Sequence, residues 1–437
     1  MAVATNLHLE LNVPQYALDD IGGLVNFINP FPGGKMISYN EAISLVLKHT
    51  PVLGVDEVSL LDGVDRIVAG EMIGRVDSPS ADASLKDGYA IRSNELVHAS
   101  EGTPVILKVV GSVAAGGEWT GRVQSGEAVR ILSGAPVPDG ADAVVAEEFT
   151  QLDEYQLTVF RDAHQGRNIL PQGTDIQERQ ELVSTGDRLT PPTVGYLAAA
   201  GFQTIPVYKH PRVAILATGD EVVAPGTPLK RGKLYASNLV TLGAWCRRYS
   251  FEVETLVVAD DEALIREGME KCLNEYDALI TSGGAWSGDR DLVVAMLDEL
   301  GWEKYFHRAR MGPGKAAAFG LAEGKPVFCL PGGPPSNHIA FLELALPGLM
   351  KMSGMKKTSL PVTKVQLAKT IHGQVNWTQF VHGTLAEGDD YPQFYAAKSS
   401  SRLQMMANAD AIVIIPEGVE EIVAGTVVLG QVFASHL

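Results

Sequence analysis

Apolar positions recur along this chain in three successive rhythms. The first is helical: Ala42, Ile43, Leu45, Val46 and Leu47 follow Ser38-Tyr-Asn-Glu41, a serine with a glutamate three residues on, which predicts a capped helix. Residues 75–165 then carry short apolar alternations broken by glycine and proline. Val105-Ile-Leu-Lys-Val-Val110 and Ala143-Val-Val-Ala146 read as strands there, with turns at Gly116-Gly117 and Pro138-Asp-Gly140. Residues 190–200 open on Thr190-Pro-Pro and stop at Gly201, the ends expected of a short helix.

From Arg212 the rhythm alternates. Val213-Ala-Ile-Leu-Ala217 reads as a buried strand, residues 238–249 as a helix, 253–258 as a strand and 262–275 as a helix. The apolar stripe of that last helix is Leu264, Ile265, Met269, Cys272 and Leu273. Strand 278–280, helix 291–300, strand 327–330 and helix 336–351 complete the run. Such alternation implies a parallel, doubly wound sheet. Beyond Leu360 the chain returns to short strands, at 362–367, 375–385, 411–415 and 426–432. Residues 1–36 show weak periodicity and the turn-rich run Asn29-Pro-Phe-Pro-Gly-Gly34, and read as an extension.

Composition adds bounds. At 437 residues, a prior of roughly 150 residues per domain gives about three domains. The formal charge of −17 argues against nucleic acid or an anionic membrane as partner. Cys246, Cys272 and Cys329 are too scattered for a disulfide framework, and Cys329 sits in the apolar run Pro326-Val-Phe-Cys-Leu330 as a small hydrophobe. The N-terminal residues lack the basic and apolar segments of a secretory signal, and no run approaches the ~20 apolar residues of a spanning helix. A cytoplasmic protein is the expectation.

Three glycine-rich turns carry the candidate chemistry: Thr281-Ser-Gly-Gly-Ala-Trp-Ser-Gly-Asp-Arg-Asp291, Gly312-Pro-Gly-Lys315 and Leu330-Pro-Gly-Gly-Pro-Pro-Ser336. Two fall between an expected strand and an expected helix, where open α/β sheets bind ligands. Glycine lets backbone approach a bulky anion, and a helix start offers N–H donors to it. A phosphate-bearing small molecule is the implied ligand.

Further motifs fall in one order: Asp87-Gly-Tyr-Ala90, Arg130-Ile-Leu-Ser-Gly-Ala-Pro-Val-Pro138 with Asp-Gly-Ala-Asp142, Thr218-Gly-Asp-Glu221, Ser282-Gly-Gly284 with Asp291, Pro313-Gly-Lys315, and Leu330-Pro-Gly332 with Pro334 and Ser336. From about residue 37 to the C-terminus this series resembles the MoeA family, the molybdopterin molybdenumtransferases, which include the E domain of gephyrin. The resemblance implies a multi-domain α/β plus β protein. Its parts would be an extension (1–36), a discontinuous linker domain (37–74 and 166–207), an inserted β-rich domain (75–165), a doubly wound α/β molybdopterin-binding domain (208–356) and a small C-terminal β-barrel-like domain (357–437). It implies a homodimer, a pterin substrate, Mg2+, and insertion of molybdate or tungstate into adenylylated molybdopterin with release of AMP. It also admits a molybdopterin adenylyltransferase as partner.

Carried onto this chain, the resemblance makes Asp87, Asp142, Asp291 and Lys315 the catalytic candidates, the three aspartates also as metal ligands. Ser133, Thr218, Gly219, Asp220, Glu221, Ser282, Gly283, Gly284, Gly332 and Ser336 are the candidate cofactor-binding residues. Hard divalent ions take oxygen ligands, and a lysine suits phosphate or oxyanion, so the residue types fit. Plainer uses remain beside these. Asp87 and Asp142 are ordinary turn residues, and Ser133 can bond its own turn. Asp220 and Glu221 can cap the following helix, Asp291 suits a helix start, and Ser336 suits an N-cap. Six histidines (His98, His164, His210, His307, His338, His382) show no ligand spacing and are expected to be structural or exposed.

Several family positions differ. Ala236 stands for an aspartate, Thr174 for a glutamate, Gly312 for a lysine, Ala316 for a proline, Gly333 for an asparagine, Lys86 for a methionine and His382 for an arginine. A non-catalytic molybdopterin-binding paralogue (a carrier, sensor or scaffold) is therefore the alternative reading.

Overall fold

Two sheets and one barrel account for most of the regular structure. The computed structural model describes residues 36–283, 292–398 and 401–433. These divide into two compact units: Val55–Val207, and the residues up to Gly54 together with those from Tyr208 onward.

Within Val55–Val207 a six-stranded sheet runs in the order Ala143–Ala146, Gly88–Ile91, Glu127–Ile131, Val105–Val113, Gln156–Val159, Thr150–Asp153. Both expected strands are present, the first extended to Val113 by its alternation. Buried residues such as Tyr89, Ile91, Leu107 and Leu157 fill one side, and Val113, Val129, Ile131 and Val144 the other. The helix Pro191–Ala199 enters through Thr190, whose side chain accepts the Thr193 N–H. It packs Val194 and Leu197 into a separate small core with Val68, Ile176 and Ile205.

The second unit is organised by its α/β sheet. Strands Glu252–Val258, Arg212–Thr218, Ala278–Ser282 and Lys325–Leu330 are parallel in that spatial order. Ala318–Ala322 and Glu303–His307 then extend the sheet antiparallel, an addition that the alternation alone did not show. Helices Ser237–Arg248 and Pro334–Ala340 cover one face together with Tyr39–His49, whose Ala42, Ile43 and Val46 share the core of Ile215, Ile280 and Phe328. Ser38 caps this last helix by accepting the Glu41 N–H at 3.1 Å. Glu262–Glu275 and Leu292–Glu299 cover the other face. The stripe of Glu262–Glu275 runs through Ile265, Met269, Cys272 and Leu273; Leu264, expected in it, lies in the first turn and stays 47% exposed. Burial pushes the Cys246 and Cys272 thiols up to about 12 and about 11, so neither is a nucleophile at neutral pH.

Toward the C-terminus, Val362–Leu367, Gln393–Ala396, Thr378–Ala386, Ala411–Ile415 and Val427–Val432 pair in a ring and close a five-stranded barrel. The segment Ala309–Gly312 joins it as a parallel strand, Met311 opposite Thr378 and Gly312 opposite Gln379. That pairing ties the Gly312–Lys315 turn of the α/β chain to the barrel. Among the described residues no helix is long and apolar enough to cross a membrane.

Candidate functional site

Three parallel strands end side by side: Arg212–Thr218 runs into Gly219, Ala278–Ser282 into Gly283, and Lys325–Leu330 into Pro331 and Gly332. Opposite them stand the barrel and the tethered Gly312–Lys315 turn. A cavity of about 940 Å3 opens between the two, lined by Thr218, Gly219, Glu221, Gly283, Lys315, Gly332 and Ser336. Seven candidates scattered over some hundred residues of chain thus line one cavity, Lys315 from the side of the barrel and the other six from the carboxyl edge where open sheets bind ligands.

Two asparagines hold the turns together. Asn238 Nδ2 donates to Ser282 Oγ (3.2 Å) and to the Gly332 carbonyl (2.9 Å). Asn337 Nδ2 donates to the same Ser282 Oγ (3.1 Å) and to the Pro331 carbonyl (2.9 Å). Ser282 is buried and its oxygen accepts twice, so it braces the cavity floor. Sequence reasoning names neither amide.

Backbone geometry explains two of the glycines. Gly283 has φ +101°, and a Cβ there would lie 3.0 Å from the Thr218 carbonyl. Gly219 has φ +142°, and the Glu221 carboxylate folds over the place a Cβ would occupy. Gly283→Ala is expected to destabilise this unit by about 1–3 kcal/mol through strained backbone. A thermal melt checks it; an unchanged transition would show that the turn relaxes freely.

Two of the plainer expectations are corrected here. Neither Asp220 nor Glu221 caps a helix, because the chain after them forms the short paired strands Val222–Val223 and Leu234–Tyr235. The helix that follows begins at Ser237 with Ala236 as N-cap and no side-chain cap bond. Asp220 and Asp260 instead exchange bonds, each N–H donating to the other's carboxylate (3.4 and 3.3 Å). Nor is Ser336 an N-cap. The helix begins two residues earlier because Pro334 and Pro335 have φ already suited to a first turn, and Gly333 is the cap. Those prolines carry no N–H, so this helix start offers an anion fewer donors than its sequence position suggested.

Lys315 is the one lysine or arginine among the described residues that line the cavity. Its ammonium lies 5.6 Å from the Trp377 ring centroid, and it has no ion-pair partner among the described residues. Trp377, Gln379 and His382 come from the barrel, and Asp260 follows strand Glu252–Val258; sequence reasoning named none of them as site residues. His382, expected to be structural or exposed, is buried and also lines the cavity. Trp245 Nε1–H donates to His338 Nε2 (2.9 Å), and His338 Nδ1 lies 3.3 Å from His382 Nε2. Burial holds His338 down to about 3 and His382 to about 4, so both are neutral at physiological pH.

The remaining candidates belong to the unit Val55–Val207. Asp87 Oδ1 accepts the Ser133 N–H at 2.7 Å, so these two are brought together. Asp142 accepts the Ser93 N–H (2.6 Å) and hydroxyl (2.9 Å), which gives both its oxygens a local task. Gly284 and Asp291 lie outside the described residues. Among the described residues no three histidine, cysteine or acidic side chains gather as a ready metal site.

Three family descriptions match the chain in succession. They are the MoeA N-terminal region (domain I and II) over residues 37–201, a probable molybdopterin binding domain over 214–351, and the MoeA C-terminal region (domain IV) over 364–433. Molybdopterin molybdenumtransferase 2 of Mycobacterium tuberculosis (strain ATCC 25618 / H37Rv) is 30% identical over 378 residues, 84% of this chain and 93% of that protein. The molybdopterin molybdenumtransferase of Haemophilus influenzae is 28% identical over 410 residues, 92% of this chain and all of its own. A crystal structure of a molybdopterin biosynthesis MoeA protein from Pyrococcus horikosii is 32% identical. It covers 92% of this chain and 100% of its own, with a TM-score of 0.81.

Proposed function

The chain belongs to the MoeA family, and from that premise we propose that it is a molybdopterin molybdenumtransferase of the cytoplasm. In this reading it inserts molybdate or tungstate into adenylylated molybdopterin and releases AMP. The observation that carries it is the cavity at the carboxyl edge of the sheet, where Lys315 and the glycine turns face one space.

Such a reaction opens a phosphoanhydride, which needs positioning and charge neutralisation more than covalent help. Lys315 would contact the phosphate or the incoming oxyanion. Gly283 and Gly332 would let backbone approach the pterin phosphate, with Ser336 as a hydroxyl donor. Magnesium binds through one or two carboxylates when substrate phosphates complete its shell. Glu221 and Asp260, both on the cavity wall, fit that sparse demand and would hold it. Bound there, the ion would neutralise charge on the phosphates. The family's dimer would further bring Asp87, Ser133 and Asp142 of one chain to Lys315 and Asp291 of its partner.

The decisive assay is AMP release from adenylylated molybdopterin with magnesium, in the presence and absence of molybdate or tungstate. Release dependent on the oxyanion supports the reading; pterin binding without any release rejects it. The second reading, a paralogue that binds without turnover, draws on Ala236, a buried methyl where the family carries a carboxylate. Ala236→Asp is expected to supply the missing cap of Ser237–Arg248, a gain of about 0.5–2 kcal/mol in a thermal or denaturant melt. A loss of stability would mean that the position excludes a charge.

A further inference from the structure

The chain Trp245, His338, His382 has a direction. An indole nitrogen only donates, so the His338 Nε2 facing it at 2.9 Å must accept. His338 is neutral, so its proton sits on Nδ1, which faces His382 Nε2 at 3.3 Å. The two rings lie within 20° of parallel with centroids 5.6 Å apart, side by side as an in-plane bond requires. His382 Nε2 is thus an acceptor, and its own proton is forced onto Nδ1. No described residue takes a hydrogen bond from Nδ1, and His382 lines the cavity whereas His338 and Trp245 line a second hollow of about 430 Å3.

A donor kept uncharged is matched to an uncharged acceptor, such as a ring carbonyl or imino nitrogen, rather than to an anion. The Trp377 indole lines the same cavity, with the Lys315 ammonium 5.6 Å from its ring centroid, and is an aromatic surface on which a flat ring can pack. We propose that His382 donates through Nδ1–H to a neutral acceptor on a flat heteroaromatic ring bound in the cavity, and that Trp245 and His338 are the positioning residues that fix this donor. The inference rests on the reading of the cavity as a pterin site and names the part of the ligand that this wall reads.

The first test needs no ligand. Nitrogen-15 NMR of the imidazoles should show His382 as the neutral Nδ1–H form, and Trp245→Phe should change that tautomer. A His382 protonated on Nε2, or one indifferent to Trp245→Phe, overturns the proposal. The second test titrates the full chain with a phosphate-free pterin and, separately, with inorganic pyrophosphate. Pterin affinity should fall about tenfold or more in His382→Phe and Trp245→Phe, the scale expected when a polar contact is left unpaired. It should be largely kept in His382→Asn, whose amide N–H can stand where Nδ1–H stood, and pyrophosphate binding should not move. Equal pterin affinity across folded variants overturns this proposal alone. A wild-type protein that binds no pterin overturns it together with the function on which it rests.

Discussion

Replacing Lys315 by alanine is expected to lower oxyanion-dependent AMP release about 10²–10³-fold, the loss seen when one preorganised charge-stabilising donor is removed. The size follows from its surroundings. Lys315 is half-buried, unpaired among the described residues, and set on a turn that strand pairing at Met311 and Gly312 holds against the barrel. Its charge therefore needs little reorganisation when a phosphate arrives. Single-turnover measurements with adenylylated molybdopterin check this, with a melt to show that the variant folds. Lys315→Arg keeps the charge but changes its shape, so it should recover only part of the rate. An alanine variant with wild-type turnover would remove Lys315 from the mechanism.

The second large effect concerns stability. Glu343 lies in the π-helical turn Phe341–Ala345 and is 2% exposed. Tyr39 donates to its Oε2 at 2.8 Å, while its Oε1 and Gln431 Oε1 are both buried without a partner. Burial pushes the carboxyl up from an ordinary 4.5 to about 7, against smaller opposing effects of Tyr39 and Gln431. The folded protein then holds a proton that the unfolded chain releases, so stability falls as pH rises between about 4.5 and 7 and does not return above it. A shift of that size corresponds to about 3 kcal/mol. Glu343→Gln cannot ionise, keeps an acceptor for Tyr39 and supplies an N–H toward Gln431. It should match the wild type near pH 4 and exceed it by about 3 kcal/mol at pH 8 in denaturant melts. Equal stability at pH 8 would show that Glu343 ionises without penalty.

Much of the fold was legible because its signals are local. Glu262–Glu275 appeared at its expected ends because Asp261 caps it and the 3.6-residue apolar period runs its full length. Val362–Leu367 and Ala411–Ile415 were equally direct, since short alternations bounded by turns admit few other readings. The antiparallel strands Glu303–His307 and Ala318–Ala322 were not read in advance, because alternation does not reveal the direction of a strand entering a sheet.

The site divides the same way. The sequence by itself determined the family, the parallel strands and the glycine turns that follow them, because turn chemistry and strand periodicity are written in neighbouring residues. It also named Lys315 and the Gly219, Gly283 and Gly332 positions that share the cavity. Only the tertiary structure decided that Asn238 and Asn337 brace those turns, that Asp142 is engaged by Ser93, and that Trp245, His338 and His382 form one directed chain. Apart from the bond of Asn337 to Pro331, six positions away, these contacts join residues 44 to 94 positions apart. A hydrogen bond has no sequence period, so only packing could bring its partners together and decide which protons they hold.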